Sequence, residues 1–67
     1  LYYNKYGAVA TDNGFIWGNT ADVANNSNGG FYASNGGQIN RSGCTGSQAT
    51  NTSPALNTVG NYNSFIH

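Results

Sequence analysis

The sequence predicts an all-β solenoid, a coil of short strands in which each strand pairs with the one a turn above. Two observations carry this: a faint internal repeat, and a composition rich in turn residues and aromatics but poor in helix formers. In the repeat, Leu1-Tyr2-Tyr3 and Phe31-Tyr32-Ala33 open two thirty-residue stretches that lay Tyr2 over Tyr32, Gly7 over Gly37 and Val9 over Ile39. A period between about 20 and 50 residues marks stacked architectures, whose units bury their apolar face only against the next unit. Gly60, Tyr62 and Ser64 fall under Gly30, Tyr32 and Ser34 and make a partial third start. About half of the 67 residues are Gly, Asn, Ser or Thr, glutamate and methionine are missing, and leucine occurs only at Leu1 and Leu56. Aromatics nevertheless reach 13%. A disordered linker has few aromatics and a helical domain needs better helix formers, so short β segments with frequent turns remain.

Taken in order, Leu1-Tyr2-Tyr3, Ala8-Val9-Ala10, Phe15-Ile16-Trp17 and Ala21 to Ala24 are runs of strand-favouring or small residues. Tyr6-Gly7, Asn13-Gly14 and Gly18-Asn19 separate them with turn chemistry. The second stretch runs Phe31-Tyr32-Ala33, Gln38-Ile39-Asn40 and Ser47 to Thr50, punctuated by Asn35-Gly36-Gly37 and Ser42-Gly43. Such strands are shorter than the ~5–6 residues usual in a sandwich. Asn-Gly pairs at residues 13–14, 28–29 and 35–36 supply corners that accept left-handed backbone angles. The same pairs also suit β-hairpins, but the flanking segments alternate for too few residues to favour them. Pro54, the only proline, removes a ladder donor and disfavours helix before it. The expected division is therefore coils over residues 1–53 and a different terminal element over residues 54–67.

Lys5, Arg41, Asp12 and Asp22 are the only formal charges and they cancel. No basic stripe exists for nucleic-acid phosphates or for an anionic membrane surface. No apolar run approaches the ~20 residues of a membrane span, so no membrane insertion is expected. The start lacks the blocks of a signal peptide, and the apolar finish Phe65-Ile66-His67 reads as a cut, which makes the chain an excised piece. A domain of this size buries only roughly 60% of its unfolded surface. Cys44 is the sole cysteine, which rules out an internal disulfide. Zinc-type ligands are too scattered for a metal site, and no cofactor motif occurs. Stability is expected to come from oligomerisation or from continuation into a longer chain.

The run Gly30-Phe31-Tyr32-Ala33-Ser34-Asn35-Gly36-Gly37-Gln38-Ile39-Asn40-Arg41-Ser42-Gly43 resembles a single coil of the parallel β-helices of bacteriophage tailspikes and tail fibres. Residues 53–66, Ser-Pro-Ala-Leu-Asn-Thr-Val-Gly-Asn-Tyr-Asn-Ser-Phe-Ile, resemble segments where such helices give way to a C-terminal element. The resemblance is one of texture and of one short phrase, not of a catalytic signature. It implies a right-handed parallel β-helix fragment of about two coils plus a terminal element, assembled as a homotrimer on the virion. It also implies binding of host surface polysaccharide or another receptor, and in some members its cleavage. The trimer contacts it implies are Leu56, Val59, Tyr62, Phe65 and Ile66. Two coils cannot cover their own ends, and uncapped ends expose strand edges that invite pairing.

For catalysis the sequence offers little. Glycosidases usually work with two carboxylates, and Asp12 and Asp22 fall in different parts of one coil, so both read as solvated turn residues. Cys44 reads as a small buried residue, His67 is terminal, and no Ser-His-Asp motif is visible. Trp17, flanked by Phe15 and Ile16 and followed by Gly18-Asn19, is the most informative single residue. Exposed Trp and Tyr stack on sugar rings while Asn and Gln bond hydroxyls, so Trp17, Tyr3, Tyr6 and Asn19 are the candidate glycan contacts. The alternative is that Trp17 packs within the coil or between chains. Threonine ladders for ice binding are absent. Asn-x-Ser/Thr triplets at Asn25, Asn40 and Asn51 are better explained by internal asparagine stacks than by glycosylation. The expected role is a structural and adhesive part of a phage tailspike or tail fibre. The alternatives are part of a polysaccharide depolymerase whose main site lies upstream, and a bacterial surface adhesin.

Overall fold

Six strands of two to five residues form in the order β1 (Tyr6–Ala10), β2 (Phe15–Trp17), β3 (Gly29–Ala33), β4 (Gln38–Asn40), β5 (Thr52–Ser53) and β6 (Phe65–Ile66). They come from a computed structural model that describes all 67 residues. Two parallel three-stranded sheets result, with strand orders β1-β3-β5 and β2-β4-β6. The chain thus travels the same path three times, and each pass adds one strand to each sheet.

The all-β reading stands, but the right-handed parallel β-helix of about two thirty-residue coils does not. Paired residues lie 23 apart in β1/β3 and β2/β4, 21 apart in β3/β5 and 27 apart in β4/β6. Val9 therefore faces Tyr32, and Ile39 faces Ile16, in place of the thirty-residue partners. Where a third face would be needed to close the coil there are only isolated bridges, Tyr2 to Ala24 and Asp22 to Thr45. This part of each pass is mostly turn, and of its side chains Val23, Ala21 and Cys44 reach the core. Only 9 of 37 backbone hydrogen bonds lie within strands, so turns and single inter-pass bonds satisfy most of the backbone.

The corner between the sheets explains why the passes superpose. Thr11–Gly14, Ser34–Gly37 and Asn61–Ser64 each close with a bond from the fourth N–H to the first carbonyl, at 2.8, 2.9 and 3.1 Å. Both central residues have positive φ in every case: Asp12 and Asn13, Asn35 and Gly36, Tyr62 and Asn63. That is the primed turn for which Asn-Gly is best suited, yet it joins two sheets here and not a hairpin. A β-branched or bulky residue is strained at positive φ, and Thr20 in the next corner and Tyr62 both carry that strain. Gly37 is required by close approach, since a Cβ there would stand 2.1 Å from the Ala10 carbonyl oxygen.

Between the sheets lies a thin core of Ala10, Val23, Phe31, Ala33, Ile39 and Ile66, with Ala8, Ile16, Ala21, Cys44 and Leu56 packed on it. Ile16, Ile39 and Ile66 form one column across β2, β4 and β6. Burying a side chain such as Phe31 or Ile39 contributes about 1.5–3 kcal/mol, and few residues do so here. Against the core, Asn26 is only 6% exposed and is fully bonded. Its Nδ2 donates to the Leu1 carbonyl at 3.0 Å and to Gln48 Oε1 at 2.9 Å, while its Oδ1 accepts from the Asn4 N–H at 3.0 Å. Gln48 returns a bond from Nε2 to the Asn26 carbonyl at 2.8 Å. Asn26 and Gln48 thus lock side-chain amides across two passes, while exposed Asn4 joins them only through its backbone N–H, its own amide donating to the Tyr2 carbonyl at 3.0 Å.

Residues 54–67 begin after the cis Ser53–Pro54 bond. They hold the third corner and β6, which pairs with β4 as the last strand of its sheet.

Candidate functional site

Strand alternation settles which side chains of the second sheet face out. With the isoleucine column turned inward, Phe15, Gln38 and Phe65 form one outer column. Trp17 and Asn40 begin a second. His67 continues it, because its N–H donates to the Ile39 carbonyl at 2.9 Å and its carbonyl accepts from the Arg41 N–H at 2.8 Å. Phe65 and His67 sit side by side, ring centroids 5.4 Å apart. Phe15 and Trp17 are 63% and 65% exposed, too open for core residues. The result is an uncovered face on which two large apolar rings stand beside the amides of Gln38 and Asn40. The rings offer stacking surface and the exposed Gln38 amide a donor and an acceptor, while Asn40 Oδ1 is engaged by the Ser42 N–H at 3.0 Å.

Trp17 is thus on the surface and not packed within its own chain. Asn19 lies exposed in the Gly18–Ala21 turn that follows it, so these two candidates share one edge. Tyr3 and Tyr6 belong to the other sheet's approach and are not brought to Trp17's face. Tyr6 is half-buried, stacked on Tyr32 at 5.0 Å and 17°. Tyr3 is 82% exposed, its ring edge-on to Tyr2.

The C-terminal candidates divide as well. Ile66 is fully buried in this chain's own core and so is not free for a neighbouring chain, while Leu56 is half-buried against that core. Phe65 is half-buried on the outer face, whereas Val59 and Tyr62 project into solvent.

The carboxylates are engaged separately. Asp12 accepts a bond from the Asn35 side-chain amide at the corner between the sheets. Asp22 accepts a 2.5 Å bond from the Tyr2 hydroxyl. That bond, with lesser help from desolvation and from the Asp22 charge, holds the Tyr2 hydroxyl above its ordinary pKa. Cys44 is half-buried, and a Cβ on Gly18 would stand 2.8 Å from its Sγ. No three His, Cys or Asp side chains gather where a metal ion would be held, and no helix is long and apolar enough to cross a membrane.

Sequence reasoning missed Phe15, Gln38 and Asn40 as members of the face. The signal was present: Phe15-Ile16-Trp17, Gln38-Ile39-Asn40 and Phe65-Ile66-His67 each place isoleucine between two outward residues. Comparison with known proteins finds no match, whether among family models, curated proteins or solved structures.

Proposed function

We propose that this chain is a structural and adhesive part of a phage tailspike or tail fibre. In this reading it works at the virion surface, associates as a homotrimer and touches host-cell polysaccharide. The observation that carries the adhesive part is the outer face of β2-β4-β6, where Trp17 and Phe15 stand exposed beside Gln38 and Asn40. Single exposed apolar side chains are ordinary on a protein surface; what supports this reading is that Phe15 and Trp17 are exposed together on one face of β2. Self-association is supported by the thin core, by the free edges of β1, β2, β5 and β6, and by exposed Val59 and Tyr62. The tailspike reading itself is supported by the resemblance of residues 30–43 and 53–66 and by the nearly chargeless polar composition.

Trp17 is the only tryptophan, so its fluorescence reports its own surroundings. Titration with host capsular polysaccharide is expected to shift that emission saturably. In Trp17→Ala, which has no tryptophan left to report, co-sedimentation with the polysaccharide is expected to show binding abolished and a melting curve to show the fold intact. Binding that survives in Trp17→Ala removes this face from the proposal. Sedimentation equilibrium is expected to give a trimer, and a stable folded monomer ends the homotrimer part. An antibody to the chain that labels the virion tail would support the phage assignment; its failure to label any virion protein would sink it.

A further inference from the structure

The outer columns of the second sheet have a direction. Phe15 and Trp17 stand two residues apart on β2 with the inward Ile16 between them, so their Cα atoms lie about 6.6 Å apart along the strand. Across the sheet the order differs. The neighbour of Phe15 is Gln38 and the neighbour of Trp17 is Asn40, each about 4.8 Å away. Ring follows ring along β2, whereas each step from β2 to β4 passes from a ring to an amide. Gln38 is exposed, and Asn40, whose Oδ1 is taken by the Ser42 N–H, keeps its Nδ2 to donate. The face is lateral: outward side chains point away from the direction in which strands stack. Further passes would lengthen these columns without covering them.

Two properties of the face narrow what fits it. First, β2, β4 and β6 read Phe-Ile-Trp, Gln-Ile-Asn and Phe-Ile, without a charged side chain, so the complementary ligand is uncharged. Second, an apolar strip beside a strip of amides asks for C–H faces repeated in one line with hydroxyls along an edge. Pyranose rings joined through equatorial bonds on opposite sides of each ring form such a ribbon, with C–H groups on its faces and hydroxyls on its edges. Rings joined through an axial bond wind into a coil, and successive rings turn away from any flat surface.

Resting on the polysaccharide-binding reading, we infer that the ligand is a neutral ribbon polysaccharide lying along β2, with consecutive sugar rings on Phe15 and Trp17 and edge hydroxyls on Gln38 and Asn40. Phe15 is then the residue that sets specificity. It reads the second ring and through it the linkage, whereas Trp17 alone holds a sugar of any linkage.

The test uses the whole chain with cellotetraose, whose glucose rings are joined equatorially, and maltotetraose, the same sugar joined axially. Binding is read by Trp17 fluorescence, and folding of each variant by its melting curve. Cellotetraose is expected to bind about tenfold more tightly than maltotetraose, the effect of one further stacking contact, and equally well at low and high salt. Phe15→Ala, which keeps the reporting tryptophan, is expected to erase that preference, and Gln38→Ala to remove part of it. Equal binding of the two sugars, tighter binding of maltotetraose, or a preference that survives in Phe15→Ala overturns the ribbon inference and leaves the polysaccharide reading standing. So does a shift with host capsular polysaccharide but with neither tetrasaccharide. Absence of a shift with any of the three removes both readings. An emission shift that follows protein concentration alone gives the face to a second copy of the chain and takes the sugar from it.

Discussion

The two sheets are built by the same three passes, yet they treat their outward aromatics in opposite ways. On the first sheet Tyr32 faces out between Val9 and Ser53, and its ring is covered by Tyr6. On the second, Phe15 and Trp17 stand over Gln38 and Asn40, which leave them uncovered. A ring stacked on a ring contributes to folding, about 0.5–1.5 kcal/mol beyond its buried area. A ring beside an amide contributes little to folding and remains open to a ligand. The comparison teaches that in so thin a protein the neighbour one pass away decides whether an aromatic is structural or available.

The largest effect that sharpens this comparison lies beneath both sheets. Phe31→Ala removes the biggest fully buried side chain and is expected to cost about 3–5 kcal/mol, enough to unfold a chain with so small a core. Chemical denaturation should show no cooperative transition, and a normal one would place the stability outside this core. Next, Asn26→Ala leaves the Asn4 N–H without its partner and removes one of three bonds to the Gln48 side chain, whose bonds to the residue 26 backbone survive, an expected loss of about 1–3 kcal/mol. Hydrogen exchange at the Asn4 amide is expected to speed up in parallel. The decisive pair is Tyr32→Ala against Trp17→Ala. The first is expected to lower the denaturation midpoint clearly, by about 1–3 kcal/mol with the lost stack and buried area combined. The second is expected to stay within about 0.5 kcal/mol of the parent. Equal losses would break the comparison between the sheets.

The smallest effect concerns pH. The bond to Asp22 raises the Tyr2 hydroxyl above its unfolded value. Its stabilising contribution is therefore complete below about pH 10 and disappears as pH climbs through the raised value. Ultraviolet difference titration of the parent against Tyr2→Phe is expected to show one tyrosine ionising late. Asp22→Asn should return it to the ordinary range, and a late titration that persists there would assign the shift to another cause.

The path of the chain was partly legible. Asn13-Gly14 and Asn35-Gly36 announced corners, and Phe15-Ile16-Trp17 with Gln38-Ile39-Asn40 announced strands, because turn chemistry and β-branched centres act locally. The period was not. Laying Tyr2 over Tyr32 and Val9 over Ile39 matched residues of like kind, whereas the structure pairs Val9 with Tyr32 and lengthens the last step to 27 residues. Like residues need not stack when the outer face tolerates any side chain; only the inward isoleucines are held to register. Trp17 was legible as an interesting residue, but its exposure depended on Asn40 being its neighbour. Ile66, expected at a chain–chain contact, is instead the third member of the isoleucine column.

By itself the sequence determined the class, from strands too short for a sandwich and no helix formers, and two of the corners, Asn13-Gly14 and Asn35-Gly36. Asn28-Gly29, expected as a third corner, instead leads into β3, Tyr6-Gly7 lies within β1, and the third corner is made by Tyr62-Asn63. The tertiary structure alone decided the register, the open sheets and the division between covered and uncovered aromatics. Those depend on contacts between residues more than twenty positions apart, and their energies come from which surfaces meet, a quantity that no local pattern contains.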